Sequence, residues 1–323
     1  MKRIHAKTNP RAFTLIELLT VISIIAVLIA IMSIGITAAM KQAKNLRQKV
    51  ELKAMDTGLE LFSKDFDDYP DSKTLPIGGT TNLVCGAQHL AEALVGRDNH
   101  GIEPQTGWYP PNDQLYKPNM DPALLATLYD AANAASLNRR KGPYVELKHS
   151  GVYLISELWQ SVTAPSQIYA SSGATNRGRS PVIMDTFNTN RIDLGGTTIK
   201  VGQPVLYFKA DGSKRFRISG DTPPVVVTNP VSTEYKKWIY NFDDNLPVVQ
   251  LPVMSEPTLT DMDFTDPGDA SKTPAQVFYE KITQTADPDR NYYKPFNANR
   301  FILISAGRDG IYGTKDDITN FDY

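Results

Sequence analysis

Apolar positions run almost without interruption over residues 13–40, and the only formal charge among them is Glu17. Residues 18–40 are 23 uncharged positions dominated by isoleucine, leucine, valine and alanine. As a helix such a run reaches roughly 35 Å, against a bilayer core of about 30 Å. The spacing then changes. Leu52, Met55, Leu59, Phe62 and Phe66 recur at intervals of 3, 4, 3 and 4, which predicts a continuing helix with one apolar stripe. Asn45 and Gln48 make the same face polar before Leu52. The helix is therefore expected to leave the membrane as an exposed rod and to dock on a globular domain only in its later half. Burial contributes roughly 1.5–3 kcal/mol per large side chain, so the stripe reads as core packing. Asp65-Phe66-Asp67-Asp68-Tyr69-Pro70 ends the helix, because proline donates no backbone hydrogen bond and restrains the residue before it. The rod from Phe13 to Phe66 would be roughly 80 Å long.

Beyond this point the pattern breaks into short pieces. Residues 70–323 hold 21 of the 22 prolines and 19 of the 21 glycines, which implies turns and long loops rather than a helical bundle. Short helices are expected at 87–95, 122–135, 152–162 and 274–283, and strands at 181–184, 205–210, 214–218 and 301–305. Asp211-Gly212 lies between two strand-like runs and predicts a hairpin. Gly78-Gly79 and Gly195-Gly196 read as unrelated turns, and the valine- and proline-rich residues 220–230 give no assignable shape. The fold class expected is α+β: a long N-terminal transmembrane helix continuing into a globular domain with a small antiparallel sheet and long loops.

Composition changes this picture little. Hydrophobic residues are 41% and charged residues 21%, enough apolar content for a buried core. The net charge is −1, but Lys2, Arg3, Lys7 and Arg11 precede Phe13 without an acid, and removing those four cations leaves −5. No basic face for nucleic acid is expected. The single cysteine, Cys85, excludes an internal disulfide and a cysteine-pair zinc site, and His5, His89, His100 and His149 are scattered. There is no Walker loop, nucleophile elbow or dinucleotide fingerprint. Asp243-Asp244 are sequence neighbours only, and Trp108, Trp159 and Trp238 read as packing residues. No enzymatic activity is expected.

Two readings fit the N-terminus. In one, residues up to about Thr37 or Ala39 are a cleaved signal peptide, although the apolar run exceeds the about 7–15 residues of a signal core. In the other, Ala12-Phe13-Thr14-Leu15-Ile16-Glu17 resembles the processing motif of type IV prepilins and type II secretion pseudopilins. The resemblance implies cleavage between Ala12 and Phe13, alanine standing where the family usually has glycine, and methylation of the new N-terminal Phe13. It implies a leader at 1–12, a transmembrane and filament-core helix at 13–40, a helix extension at 41–69 and a periplasmic domain at 70–323. The implied partners are a prepilin peptidase and methyltransferase, an inner-membrane assembly platform, membrane lipid, and other copies of the chain in a helical filament. The leader should be cytoplasmic. Lys41, Lys44, Arg47 and Lys49 flank the far side as well, so charge alone leaves orientation open and the resemblance decides it.

Glu17 then acquires a reason. A carboxylate at a helix centre in lipid costs about 2.5–3.5 kcal/mol on insertion scales and needs a partner. Cleavage before Phe13 creates an α-amino cation four residues away, on the same helix face. In a filament, Glu17 of one copy would meet the Phe13 amine of a neighbour and set the axial register. In the unprocessed chain the carboxylate would sit in water, favoured weakly by the helix dipole.

Several further stretches resemble the major, G-type pseudopilin in order: Tyr69-Pro70, residues 87–95, Gly202-Gln203-Pro204-Val205-Leu206-Tyr207, and residues 301–318. The family domain is smaller, which implies insertions at about 97–180 and 211–295. Tip-type pseudopilins of similar length usually lack the glutamate found here as Glu17, so the resemblance is to a subunit able to sit inside a filament. The stretch FILISAGRDGIYGTKDDI runs from a β-branched strand into glycines and three aspartates. Calcium takes 6–8 oxygens at about 2.3–2.6 Å, and this spacing is not that of an EF-hand. The resemblance implies a Ca2+ site with Asp309, Asp316 and Asp317 as side-chain ligands, Ser305 as a weaker one, and the choice between Asp316 and Asp317 open. The alternative is an acidic solvated turn. The function implied is a structural subunit of a periplasmic filament in a type II secretion-like system. A type IV pilus subunit and a membrane-tethered binding module are the other readings.

Overall fold

The apolar run and the amphipathic stripe form one helix, α1 (Leu15–Phe66). The computed structural model describes residues 13–76, 83–104, 129, 133–147, 151–159, 168, 181–214, 217–218, 238–251, 254, 264–284 and 292–321. The leader, Ala12, Trp108, and residues 122–128, 160–162 and 219–230 lie outside them. Contacts divide the chain after Asn45 into two units. In the first, every described side chain of α1 up to Lys44 is exposed. Its hydroxyls do not need water. Thr20, Ser23, Ser33 and Thr37 donate to the carbonyls of Glu17, Leu19, Ala30 and Ser33 at 2.7–3.0 Å. The helix is long and apolar enough to cross a membrane.

In the second unit, Leu52, Met55, Leu59 and Phe62 are fully buried, and Phe66 stacks on Phe62 at 4.5 Å. The helix ends at Phe66, and Asp67 turns the chain with φ +64°. Gln48 departs from expectation. It is buried, not solvent-facing, because its Oε1 accepts the main-chain N–H of Thr186 at 2.8 Å. A buried amide is stable where a backbone donor meets it, so docking begins a turn earlier than the apolar stripe.

Among the described residues, five further α-helices and eleven strands follow. The helices are α2 (Gly86–Val95), α3 (Ala134–Arg139), α4 (Ile155–Leu158), α5 (Leu246–Val249) and α6 (Pro274–Ile282). The strands are β1 (Leu75–Pro76), β2 (Leu83–Val84), β3 (Val152–Leu154), β4 (Pro181–Ile183), β5 (Asn190–Leu194), β6 (Thr197–Val201), β7 (Leu206–Lys209), β8 (Arg217–Ile218), β9 (Tyr292–Tyr293), β10 (Phe301–Ser305) and β11 (Ile318–Thr319). The central sheet is antiparallel in the order β11-β10-β7, with Ile302 opposite Phe208 and Leu303 opposite Tyr207.

Side chains alternate across a strand, and here both faces are covered. Val205, Tyr207, Phe301 and Leu303 pack with Leu52, Met55 and Leu59 of α1 and with Leu90 and Leu94 of α2. Leu206, Phe208, Ile302 and Ile304 pack with Trp238, Phe242, Val248, Phe264 and Phe278. The second cover comes from residues expected to be an insertion. Phe278 is its centre, with ring centroids 4.6 Å from Phe208 and 5.5 Å from both Phe242 and Phe264. Trp159 and Trp238 are packing residues in the same cluster. Buried ion pairs tie the other expected insertion to α2, through Arg97 and Glu92, and to itself, through Arg140 and Asp98. Arg97 meets Glu92 at 2.7 Å, Arg140 meets Asp98 at 3.0 Å, and both guanidinium groups lie over the Tyr129 ring.

Three local expectations give way to pairing at a distance. Among the described residues no hairpin forms at Asp211-Gly212: β7 pairs with β10, and β8 with β9. Asp211 instead closes a tight turn, accepting Ser213 N–H at 3.0 Å, while its own N–H donates to Ile239 O at 2.8 Å. The helix expected at 152–162 begins as β3, since Val152-Tyr153-Leu154 find β4 as a partner, and only the single turn of α4 follows. Of the helix expected at 122–135, Tyr129 is in a turn and Asn133 is the N-cap of α3, so only residues 134–135 are helical among those described. Gly195-Gly196, expected only as a turn, joins β5 and β6 as a two-residue hairpin loop with φ of +59° and +84°. Both positions need the left-handed region that glycine supplies.

Several buried acids make stability depend on pH, and Asp244 is one of them. Asp244 accepts hydrogen bonds from Ser72 Oγ and, at 3.0 Å, from Asn241 Nδ2. Burial pushes its carboxyl up to about 7, against the pull of the Ser72 hydroxyl. An unfolded aspartate titrates near about 3.9, so the folded chain holds this proton more tightly. The resulting stability is complete below that value and is lost as pH rises through about 7. The detergent-solubilised chain should therefore melt at a higher temperature near pH 5.5 than near pH 8. Asp244→Asn should shrink that difference in a thermal-melt series; an unchanged slope would remove Asp244 from the explanation.

Candidate functional site

The first candidate region is the start of α1. Phe13 is exposed and Thr14 is the N-cap. The Thr14 N–H and Oγ–H both donate to Glu17 Oε2, at 2.9 and 2.7 Å, and the Glu17 N–H donates back to Thr14 Oγ1 at 3.3 Å. This is a capping box, in which a hydroxyl residue and a glutamate three positions on satisfy each other's backbone donors. Its signature, Thr14-x-x-Glu17, stands in the sequence, where it signals this cap directly. Glu17 is thus held at the helix end, on an otherwise apolar surface, with its carboxylate next to where a chain beginning at Phe13 would carry its amine.

The second candidate region is the turn between β10 and β11. Gly307, Gly310 and Gly313 adopt φ of +70°, +76° and +92°, folding residues 306–317 into a tight loop. Asp309 Oδ1 accepts Ile311 N–H at 2.9 Å. Asp316 Oδ2 accepts the N–H groups of Arg308 and Asp309 at 2.7 and 3.1 Å, and its Oδ1 accepts Thr314 Oγ at 2.7 Å. Burial raises Asp309, and the adjoining Asp316 carboxylate raises it further. Burial also acts on Asp316, but the Thr314 hydroxyl, Asp309 and two backbone N–H groups hold it below the usual value. The two acids therefore act as a pair, with Asp309 shifted up and Asp316 shifted down.

Asp317 faces elsewhere. Its side chain is fully buried, and Oδ2 accepts Gly313 N–H at 2.8 Å and meets Lys281 Nζ at 3.1 Å. Burial pushes this carboxyl up to about 7, and Lys281 pulls against it. Ser305 turns away as well: its Oγ donates to Asp185 Oδ2 at 3.1 Å. Asp185 is buried and pushed up to about 7, and its Oδ1 accepts the N–H groups of Phe187 and Gln203.

The oxygens expected to converge on one calcium ion therefore belong to three separate arrangements. Asp309 and Asp316 pair with each other, Asp317 is with Lys281, and Ser305 is with Asp185. Among the described residues no group of three His, Cys, Asp or Glu side chains is placed to hold a metal. Backbone N–H groups, a hydroxyl and an ammonium take up most of these oxygens, Asp317 Oδ1 alone being buried without a hydrogen-bond partner, and the carboxylates do not converge, so the loop as folded does not fit calcium. Lys281 and Asp185 carried no signal in the sequence, because they lie far along the chain from the loop they serve. A comparison with protein-family models, curated proteins and solved structures finds no match to this chain.

Proposed function

We propose that this chain is a pseudopilin-like structural subunit of a periplasmic filament in a type II secretion-like system. The single observation that carries the reading is the surface of α1. Its first half exposes apolar side chains on all sides, and the one acid in that stretch is fixed at the N-terminal end. A helix apolar all round is a membrane span or the core of an assembly. In the proposed cycle, a peptidase removes residues 1–12 on the cytoplasmic side and Phe13 becomes the methylated N-terminus. The helix is then drawn from lipid into a bundle with other copies, where Glu17 meets a neighbour's Phe13 amine. The domain remains in the periplasm, anchored to α1 by the Leu52–Phe62 stripe and by the Arg300 guanidinium on Asp56 and Glu60. The glycine-aspartate loop and the absence of a cysteine pair support the secretion type over an adhesive pilus. The chain hydrolyses nothing itself in this reading; the peptidase and a motor supply the covalent and mechanical steps.

Mass spectrometry of the cellular protein tests the proposal. A mature N-terminus at methylated Phe13 is the expected result. A start near Met40 would mean that the helix is discarded as a signal peptide, and the filament reading would fall.

A further inference from the structure

We propose that Lys281 is the resident cation of the β10–β11 loop: its ammonium holds the oxygens that a divalent ion would otherwise bring together. Lys281 Nζ donates to Thr314 O at 2.8 Å and meets Asp317 Oδ2 at 3.1 Å. A carbonyl and a carboxylate oxygen, brought together by a glycine turn, are the ligand types a hard cation takes. Their distances are those of N–H···O bonds, not the about 2.3–2.6 Å of calcium–oxygen contacts.

The placement is built rather than incidental. The α6 helix starts in a capping box between Thr273 and Gln276 and is anchored by buried Phe278, Tyr279 and Ile282. Val277, one turn before Lys281, lies against the loop so closely that a Cβ on Gly313 would fall 2.6 Å from Val277 Cγ1. Lys281 is thereby delivered to a fully buried acid while remaining mostly buried itself. The neighbouring acids do not compete for it. Asp266 and Glu280 share Lys272 at 2.8 and 2.7 Å. A buried carboxylate needs a compensating charge, and removing one partner of such a pair leaves the other uncompensated. Here the compensating charge is covalently part of the chain, so the loop is closed without an external ion.

Thermal melts of the full chain in detergent test this without involving assembly, so the outcome is separable from that of the filament proposal. Wild type should melt at the same temperature in EDTA and in millimolar calcium. Lys281→Met should melt lower in EDTA, by on the order of 5–10 °C, and calcium should restore part of the loss. Lys281→Arg, which keeps a cation, should remain indifferent to calcium. The double variant Lys281→Met with Asp317→Asn removes both charges and should fold and melt independently of calcium. It provides the reading if Lys281→Met alone does not fold. A calcium-dependent rise in the wild type, no calcium response in Lys281→Met, or failure of the double variant to fold would each overturn the assignment.

Discussion

Glu17→Gln should leave the start of α1 capped and stop filament growth. The two effects separate because glutamine at this position also accepts the Thr14 donors of a capping box, so the helix end is preserved while the charge is lost. In the proposed filament, a neutral amide would offer the Phe13 amine of an adjoining copy a hydrogen bond without the opposite charge. A contact worth even about 1.4 kcal/mol changes the equilibrium for adding each subunit about tenfold, and that factor applies at every addition. Sheared-filament yield and electron microscopy of cells expressing the assembly machinery give the measurement. Membrane insertion and total protein should match wild type. Glu17→Ala should lose the cap as well, and so should add a helix-end defect to the assembly defect. Filaments of normal amount and normal register in Glu17→Gln would show that the carboxylate serves only as a cap.

Phe278→Ala should cost about 3–5 kcal/mol, the range for truncating a buried phenylalanine. For a domain of this size that is a fall in melting temperature on the order of 10 °C. The size of the effect matters more than its sign. Phe278 lies in a stretch that reads as an insertion, and an appended loop tolerates truncation. In the structure its ring meets Phe208 of β7 directly and also contacts Phe242 and Phe264. The sheet has two apolar faces and α1 with α2 cover only one of them. Without α6 and residues 238–251, Leu206, Phe208, Ile302 and Ile304 would face water. A drop of less than about 2 °C in a thermal melt would show that this cover is dispensable.

These cases show which parts of the molecule were legible from residue order. The Leu52-Met55-Leu59-Phe62 stripe, the stop at Phe66, the strand Phe301–Ser305 and helices α2 and α6 all appear where periodicity and breakers put them. Each depends on residues within a turn or two of one another. The Thr14–Glu17 cap is equally local, its partners three residues apart, but from the sequence Glu17 reads only as a charge and the cap goes unread. The hairpin at Asp211-Gly212 shows where local signals stop deciding. A good turn sequence lies there, yet β7 gains more by joining β10, where both faces of the strand become buried.

The aspartate loop divides along the same line. The residue order alone determined that an apolar helix begins beside an acid, continues as an amphipathic one, and leads to a strand running into a glycine-aspartate turn. Those features follow from helical and strand periods and from backbone freedom at glycine, all of which act over short distances. Tertiary structure alone decided that Gln48 is buried under Thr186, that Ser305 serves Asp185, and that Asp317 is matched by Lys281 rather than aligned with Asp309 and Asp316. A charged or polar side chain states what kind of partner it requires. Which partner it meets depends on segments as far apart as the 138 residues between Gln48 and Thr186, or the 244 between Asp56 and Arg300, being packed together, and that is a property of the whole core.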